Sequence, residues 1–185
     1  MTKTKLKPST VLYPAPVVLV SCGTMERPNI ITIAWTGTTC SDPPMLAIGV
    51  RPSRYSYGLI KRSGEFVVNI PTADMVRVAD QCGMVSGRDV DKFALTGLTA
   101  MPGSVVRAPL IQQCPINVEC QVRQILPLGT HDFFIAEIVA VHADENILNS
   151  AGKLHFDQIT SFTLHSREYR RTGESIGHYG FTAER

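Results

Sequence analysis

A chain of 185 residues, 44% hydrophobic and 18% charged, is long enough to bury one sizeable core and is most simply a single domain. Its formal charge of +2 leaves no wide basic field, and the one arginine cluster near the end (Arg167, Arg170, Arg171) is balanced by Glu168 and Glu174, which argues against nucleic acid as a partner. Mean hydropathy is near zero, and the longest apolar runs are far too short to span a bilayer, so no membrane segment is expected.

Residues 1–12 open the chain with a polar, lysine-rich stretch that reads as a disordered lead-in, without the apolar core of a secretory signal; a cytoplasmic location is expected. Strand signals dominate the remainder of the chain. Pro16 to Cys22, Asn29 to Thr36, Met45 to Val50, Glu65 to Ile70, Ile116 to Leu126, His131 to Ala143 and Ile159 to His165 are short, β-branched and bounded by Gly, Pro, Asn or Asp. Seven such strands predict a mainly β fold whose sheet closes on itself.

In INVECQVRQIL, Ile116, Val118, Cys120 and Val122 alternate with Asn117, Glu119, Gln121 and Arg123, which predicts one buried and one solvated face. His131 to Ala143 carries apolar residues on both faces, so a second layer or a second subunit is expected to cover it. PLGTHD between these strands predicts a hairpin turn.

Helical signals are few. SRYSYGLIKR predicts a short helix from an N-cap at Ser53 to a stop at Ser63-Gly64, and TADMVRVADQCG a second from Thr72 to Gly83. Met84 to Gly97 reads as a loop containing one short turn. The five cysteines are odd in number and widely spaced, with no CxxC pair, which fits reduced core thiols. The five histidines show no metal-ligand spacing and read as structural. GxGxxG, GxxxxGKS and GxSxG motifs are absent, which weakens nucleotide-loop and hydrolase readings.

Three stretches carry candidate chemistry. TGTTCSDPP, after Trp35, offers the hydroxyls of Thr36, Thr38 and Thr39, the freed backbone of Gly37 and the Cys40 thiol to a polar ring edge or a phosphate; a plain polar turn has the same composition. RPSRYSY places Arg51, Ser53, Arg54, Tyr55 and Ser56 at a helix N-terminus, where guanidinium forks, hydroxyls and free amides converge on one anion; a capped, solvated helix is the alternative. VSGRDVDKF holds Ser86, Arg88 and Lys92 on a Gly-flexed loop that gains meaning only if it meets RPSRYSY in space.

Taken in order, PAPVVLVSC, RPNIITIAWTGTTCSDPPMLAIGVRPSRYSYGLI, GEFVVNIP, CGMVSGRDVDKF, APLI and ECQV resemble the flavin reductase-like, FMN-binding split-barrel family, and within it the flavoredoxin group. The resemblance implies a Greek-key barrel of about six to seven antiparallel strands with two or three short helices over residues 13–165. It also implies a tail at 166–185 packed on the barrel or on a dimer partner. Non-covalent FMN at a homodimer interface is implied as well. Carried over by position, Trp35, Thr36, Gly37, Thr38, Thr39 and Cys40 line the isoalloxazine. Arg51, Arg54 and Ser56, with Ser53 and Tyr55 beside them, take the phosphate, and Ser86, Arg88 and Lys92 close over the phosphate or ribityl chain. His178 and Tyr179 are tail residues that could cover the flavin. The implied activity is hydride or electron transfer through FMN with NADH or NADPH as donor. The alternatives are a flavoredoxin-type carrier that exchanges electrons with a redox protein, and a barrel that binds no flavin.

Overall fold

The computed structural model describes residues 1–183. Its strands are β1 (Ala15–Pro16), β2 (Val18–Thr24), β3 (Arg27–Ile33), β4 (Thr36–Ser41), β5 (Pro44–Val50), β6 (Glu65–Ile70), β7 (Ala100–Met101), β8 (Leu110–Ile111), β9 (Ile116–Pro127), β10 (Asp132–Ala143), β11 (Phe162–His165) and β12 (Glu168–Arg171). The α-helices are α1 (Tyr55–Ser63), α2 (Val76–Met84) and α3 (Lys92–Thr96).

Seven strands form one antiparallel sheet in the order β3-β2-β6-β9-β10-β5-β4. Its two edges, β3 and β4, are consecutive in the chain, with only Ala34 and Trp35 between Ile33 and Thr36. Laid flat, six gaps of ~4.8 Å would put those edges ~29 Å apart, whereas three residue steps reach at most ~11 Å. The sheet is therefore curled into a barrel, split between β3 and β4.

Alternation then divides the core. Val18, Val20 and Cys22 of β2 join Ile31, Ile48, Phe66, Val68, Cys120 and Phe134 in one buried cluster, which Ile60 of α1 also enters. Leu19 and Ile30 face the other way and pack under Ala79 and Cys82 of α2 and Phe93 of α3. Phe66 and Phe134 are fully buried, each contributing about 1.5–3 kcal/mol of hydrophobic stabilisation. The turn predicted between β9 and β10 is a hairpin, and the two strands pair along their length with two register shifts.

Several sequence expectations are corrected. TGTTCSDPP is not a turn throughout: Thr36–Ser41 is a strand paired with β5, with an irregularity between Thr38 and Cys40, and only Asp42-Pro43 makes the bend. An edge strand pairs on one side only and tolerates a bulge, so turn-favouring residues fit there. The polar face of β9 is not solvated at its start, since Asn117 and Glu119 are buried. Asn117 donates to Asn69 Oδ1 at 2.8 Å. The Glu119 carboxylate accepts from the backbone N–H groups of Ser104, Val105 and Val106, from the Ser104 hydroxyl, and pairs with His142. α1 begins after Arg54, one residue later than Ser53 predicts. The second helix is divided into a 3-10 turn (Ala73–Met75) and α2, and the Thr72 hydroxyl donates to the Asp74 side chain instead of capping the backbone. The short turn in Met84 to Gly97 is α3, capped by Asp91. None of the described helices is long and apolar enough to cross a membrane.

Candidate functional site

The two polar stretches RPSRYSY and VSGRDVDKF meet. A cavity of about 140 Å³ lies between the N-terminus of α1, which supplies Ser53, Arg54, Tyr55 and Ser56, and the segment after α2, which supplies Val85, Ser86 and Gly87. Gly83 of α2, Lys92 of α3 and Ile31 of β3 complete its wall. No side chain caps α1; the Tyr57 N–H donates to the Arg54 carbonyl at 3.0 Å, which leaves the Tyr55 and Ser56 amides for a ligand, and the helix dipole adds partial positive charge.

Lys92 is 3% exposed and donates to the Cys82 carbonyl at 2.6 Å, which leaves further ammonium donors unspent. Burial holds its pKa below the ordinary range, and Arg54 pushes in the same direction. Among the described residues no carboxylate pairs with Arg54 or Lys92. Two neighbouring cations without a counter-charge, one of them buried, define an anion cradle, because a buried unpaired charge is costly until an anion offsets it.

Asn29, which sequence reasoning did not single out as a site residue, does not line the cavity but holds one of its lining residues, Ser56, from behind. It is buried on β3, and its amide donates to Ser56 Oγ at 2.8 Å and lies 3.6 Å from Cys22 Sγ. A Cβ on Gly87 would stand 1.7 Å from Asn29 Oδ1 and 3.2 Å from the Tyr55 ring, so only glycine lets this loop close. The available signal was a polar residue in phase with Ile31 and Ile33 on a core-facing strand. Ser86 Oγ accepts from the Arg88 backbone N–H at 3.2 Å; the Arg88 side chain does not line the cavity.

Arg51 is not in the cradle. Its Nε donates to His131 Nε2 at 3.3 Å, and His131 stacks on Trp35 with centroids 5.4 Å apart and planes at 22°. His131, read as structural, is therefore part of an aromatic group. Trp35, Thr36, Gly37, Thr38 and Thr39 line a second, larger cavity of about 570 Å³ together with Ala34, Ala47, Phe133, Leu164 and residues 9–16. Cys40 is half-buried, and its thiol lies 3.3 Å from the Asp42 carbonyl, outside that lining. In the tail, His178 is near Phe181 at 6.0 Å and Tyr179 is exposed. The other four thiols are buried; burial pushes Cys22 and Cys82 up to about 11 and Cys114 and Cys120 up to about 12, so none is a ready nucleophile. Among the described residues no cluster of three His, Cys, Asp or Glu could hold a metal.

A split antiparallel barrel with an anion cradle at a helix N-terminus and a second, larger cavity lined by its edge strand is the architecture of a split-barrel flavoprotein. The chain belongs to the family described as flavin reductase like domain, whose model matches residues 10–172. It is 35% identical to the flavoredoxin of Desulfovibrio vulgaris (Miyazaki F), covering 99% of this chain and 100% of that one with a TM-score of 0.90. The flavoredoxin from Methanosarcina acetivorans is 32% identical, with full coverage of both chains and a TM-score of 0.90. An uncharacterized protein of Archaeoglobus fulgidus is 35% identical over 72% of this chain and 75% of its own. Membership implies a flavin cofactor.

Proposed function

We propose that the protein is an FMN-dependent oxidoreductase, reduced by NADH or NADPH. The observation that carries the FMN reading is the carboxylate-free pair of Arg54 and Lys92 at the uncapped start of α1. The residues fit the cofactor: Arg54, Lys92, the Ser56 hydroxyl and the Tyr55 and Ser56 amides would hold a phosphate dianion. The glycine at position 87 lets the backbone approach it, and Trp35 with the Thr36–Thr39 edge offers a flat apolar wall with hydroxyls and strand amides to a ring system.

Bound flavin supplies hydride and single-electron chemistry. The chain binds and orients. The cradle would fix one end of the ligand, β4 would present edge amides to the ring, and Phe133 would wall the larger cavity. No protein acid or base is needed.

A second reading, favoured by the end-to-end similarity to flavoredoxins, is an electron carrier that keeps its FMN and exchanges electrons with a redox protein. Anaerobic mixing of the FMN-loaded protein with NADH or NADPH separates the two. Bleaching of the flavin band with turnover of added free flavin supports the reductase; no bleaching within minutes contradicts it and leaves the carrier. A colourless protein that takes up no FMN contradicts both. We also propose a homodimer, on the grounds that the exposed Val11 and Leu12 of the arm and Val141 of β10 offer apolar surface to a second copy; a monomeric mass by light scattering contradicts it.

A further inference from the structure

Arg51 and Arg54 stand three residues apart and belong to different environments. Along β5, Ala47 and Gly49 share the face opposite to Ile48 and Val50 of the core, and Arg51 follows directly after the strand in the same alternation. Phe133 pairs with Gly49, and His131 shares its strand face. A Cβ on Gly49 would lie 2.9 Å from the Phe133 ring and 3.2 Å from Trp35 Cβ, so the bare glycine is what allows Trp35, Phe133 and His131 to gather over this strand. Arg51 closes the group: its Nε donates to His131 Nε2. An imidazole nitrogen that accepts is unprotonated, which places the ring proton on Nδ1, beside Thr130 Oγ1 at 3.1 Å. The Trp35 backbone carbonyl, in turn, accepts from the Gly49 N–H at 2.7 Å, so the indole is anchored at its main chain and braced at its ring.

We propose that Arg51 is a positioning residue for the planar end of the ligand and not an anion ligand: by fixing His131 in one neutral tautomer flat against Trp35, it sets the indole that lines the larger cavity. The proposal rests on the flavin reading only for the identity of the planar group. The charged and titratable groups around His131 are Arg51 and, on the following residue, Asp132, whose carboxylate is directed to Tyr57 on the opposite face at 2.7 Å, with Lys61 beyond it. Burial and then Arg51 both lower the His131 pKa.

Trp35 is the only tryptophan in the chain, so its emission in the apoprotein reads this contact without any cofactor. A pH titration of that emission should show a step that His131→Gln abolishes and that Arg51→Met moves to higher pH; Arg51→Lys, which keeps the charge, should move it less. A step unmoved by Arg51→Met overturns the proposal. In parallel, Arg51→Met should weaken FMN and riboflavin by the same factor. A loss confined to FMN makes Arg51 a phosphate ligand and overturns the proposal as well. Failure of the cradle reading is separable, because it would appear as an Arg54→Ala protein that binds FMN like wild type while the fluorescence step still shifts with Arg51.

Discussion

The side-chain amide of Asn29 donates to Ser56 Oγ over 2.8 Å and so ties β3 to the first turn of α1 beneath the anion cradle. With its acceptor lone pair engaged, the Ser56 hydroxyl is free to aim its hydrogen at an anion. Asn29→Asp reverses this, since a carboxylate would take that hydrogen and add negative charge under the phosphate. FMN affinity should fall by about 1.5–3 kcal/mol, the scale of a hydrogen bond to a charged group, with little change for riboflavin. Flavin-fluorescence titrations of the two ligands check this.

Gly87→Ala should open the cradle from the other side. The added Cβ meets Asn29 Oδ1 and the Tyr55 ring, so the loop must move, at a cost of about 1–3 kcal/mol in stability. FMN should bind more weakly while riboflavin is less affected. Thermal melts and the same titrations report both effects.

Lys92→Met should act with opposite signs on two measurements. A buried ammonium is destabilising without its anion, so the apoprotein should be as stable as wild type or more so. FMN binding should drop sharply. Apoprotein melts that fall together with affinity would instead mark Lys92 as a structural residue.

Glu119 tests the contact between β9 and residues 104–106. Burial alone would raise its carboxyl, but hydrogen bonds from Ser104, the Val106 N–H and His142 outweigh burial and hold it down to about 2, against an ordinary 4.5. A depressed folded-state pKa gives stability that is full above the ordinary value and is lost as pH falls from about 4.5 towards 2. Glu119→Gln faces an NH₂ group towards backbone donors and should cost about 1–3 kcal/mol for each one left unsatisfied. Urea midpoints of the two proteins should differ by a constant amount near neutral pH and converge as the solution is acidified.

The barrel was legible because short β-branched runs at Pro16 to Cys22, Met45 to Val50 and Glu65 to Ile70, and alternation in Ile116 to Leu126, are local signals of strand structure. β4 was not, because Thr36–Ser41 sits at an edge where pairing overrides turn-like composition. The buried Glu119 was not, because its partners arrive from residues 104–106, a contact no periodicity encodes. In the site, Arg54 and Ser56 were legible as residue types at a helix start, whereas Lys92 was legible only as a cation on a glycine-flexed loop whose meeting with that helix the sequence does not encode. Asn29 and His131 act through contacts across 27 and 80 positions of sequence, to Ser56 and Arg51. The same long-range geometry separates Arg51 from Arg54, which spacing alone had placed on one anion.

The cradle is tested most directly by the affinities of wild type and Arg54→Ala for FMN and for riboflavin, which lacks the phosphate. The account predicts that Arg54→Ala loses about 1.5–3 kcal/mol of FMN binding, keeps its riboflavin affinity and melts like wild type. Equal FMN affinity in the two proteins, or an equal loss for both ligands, would contradict it.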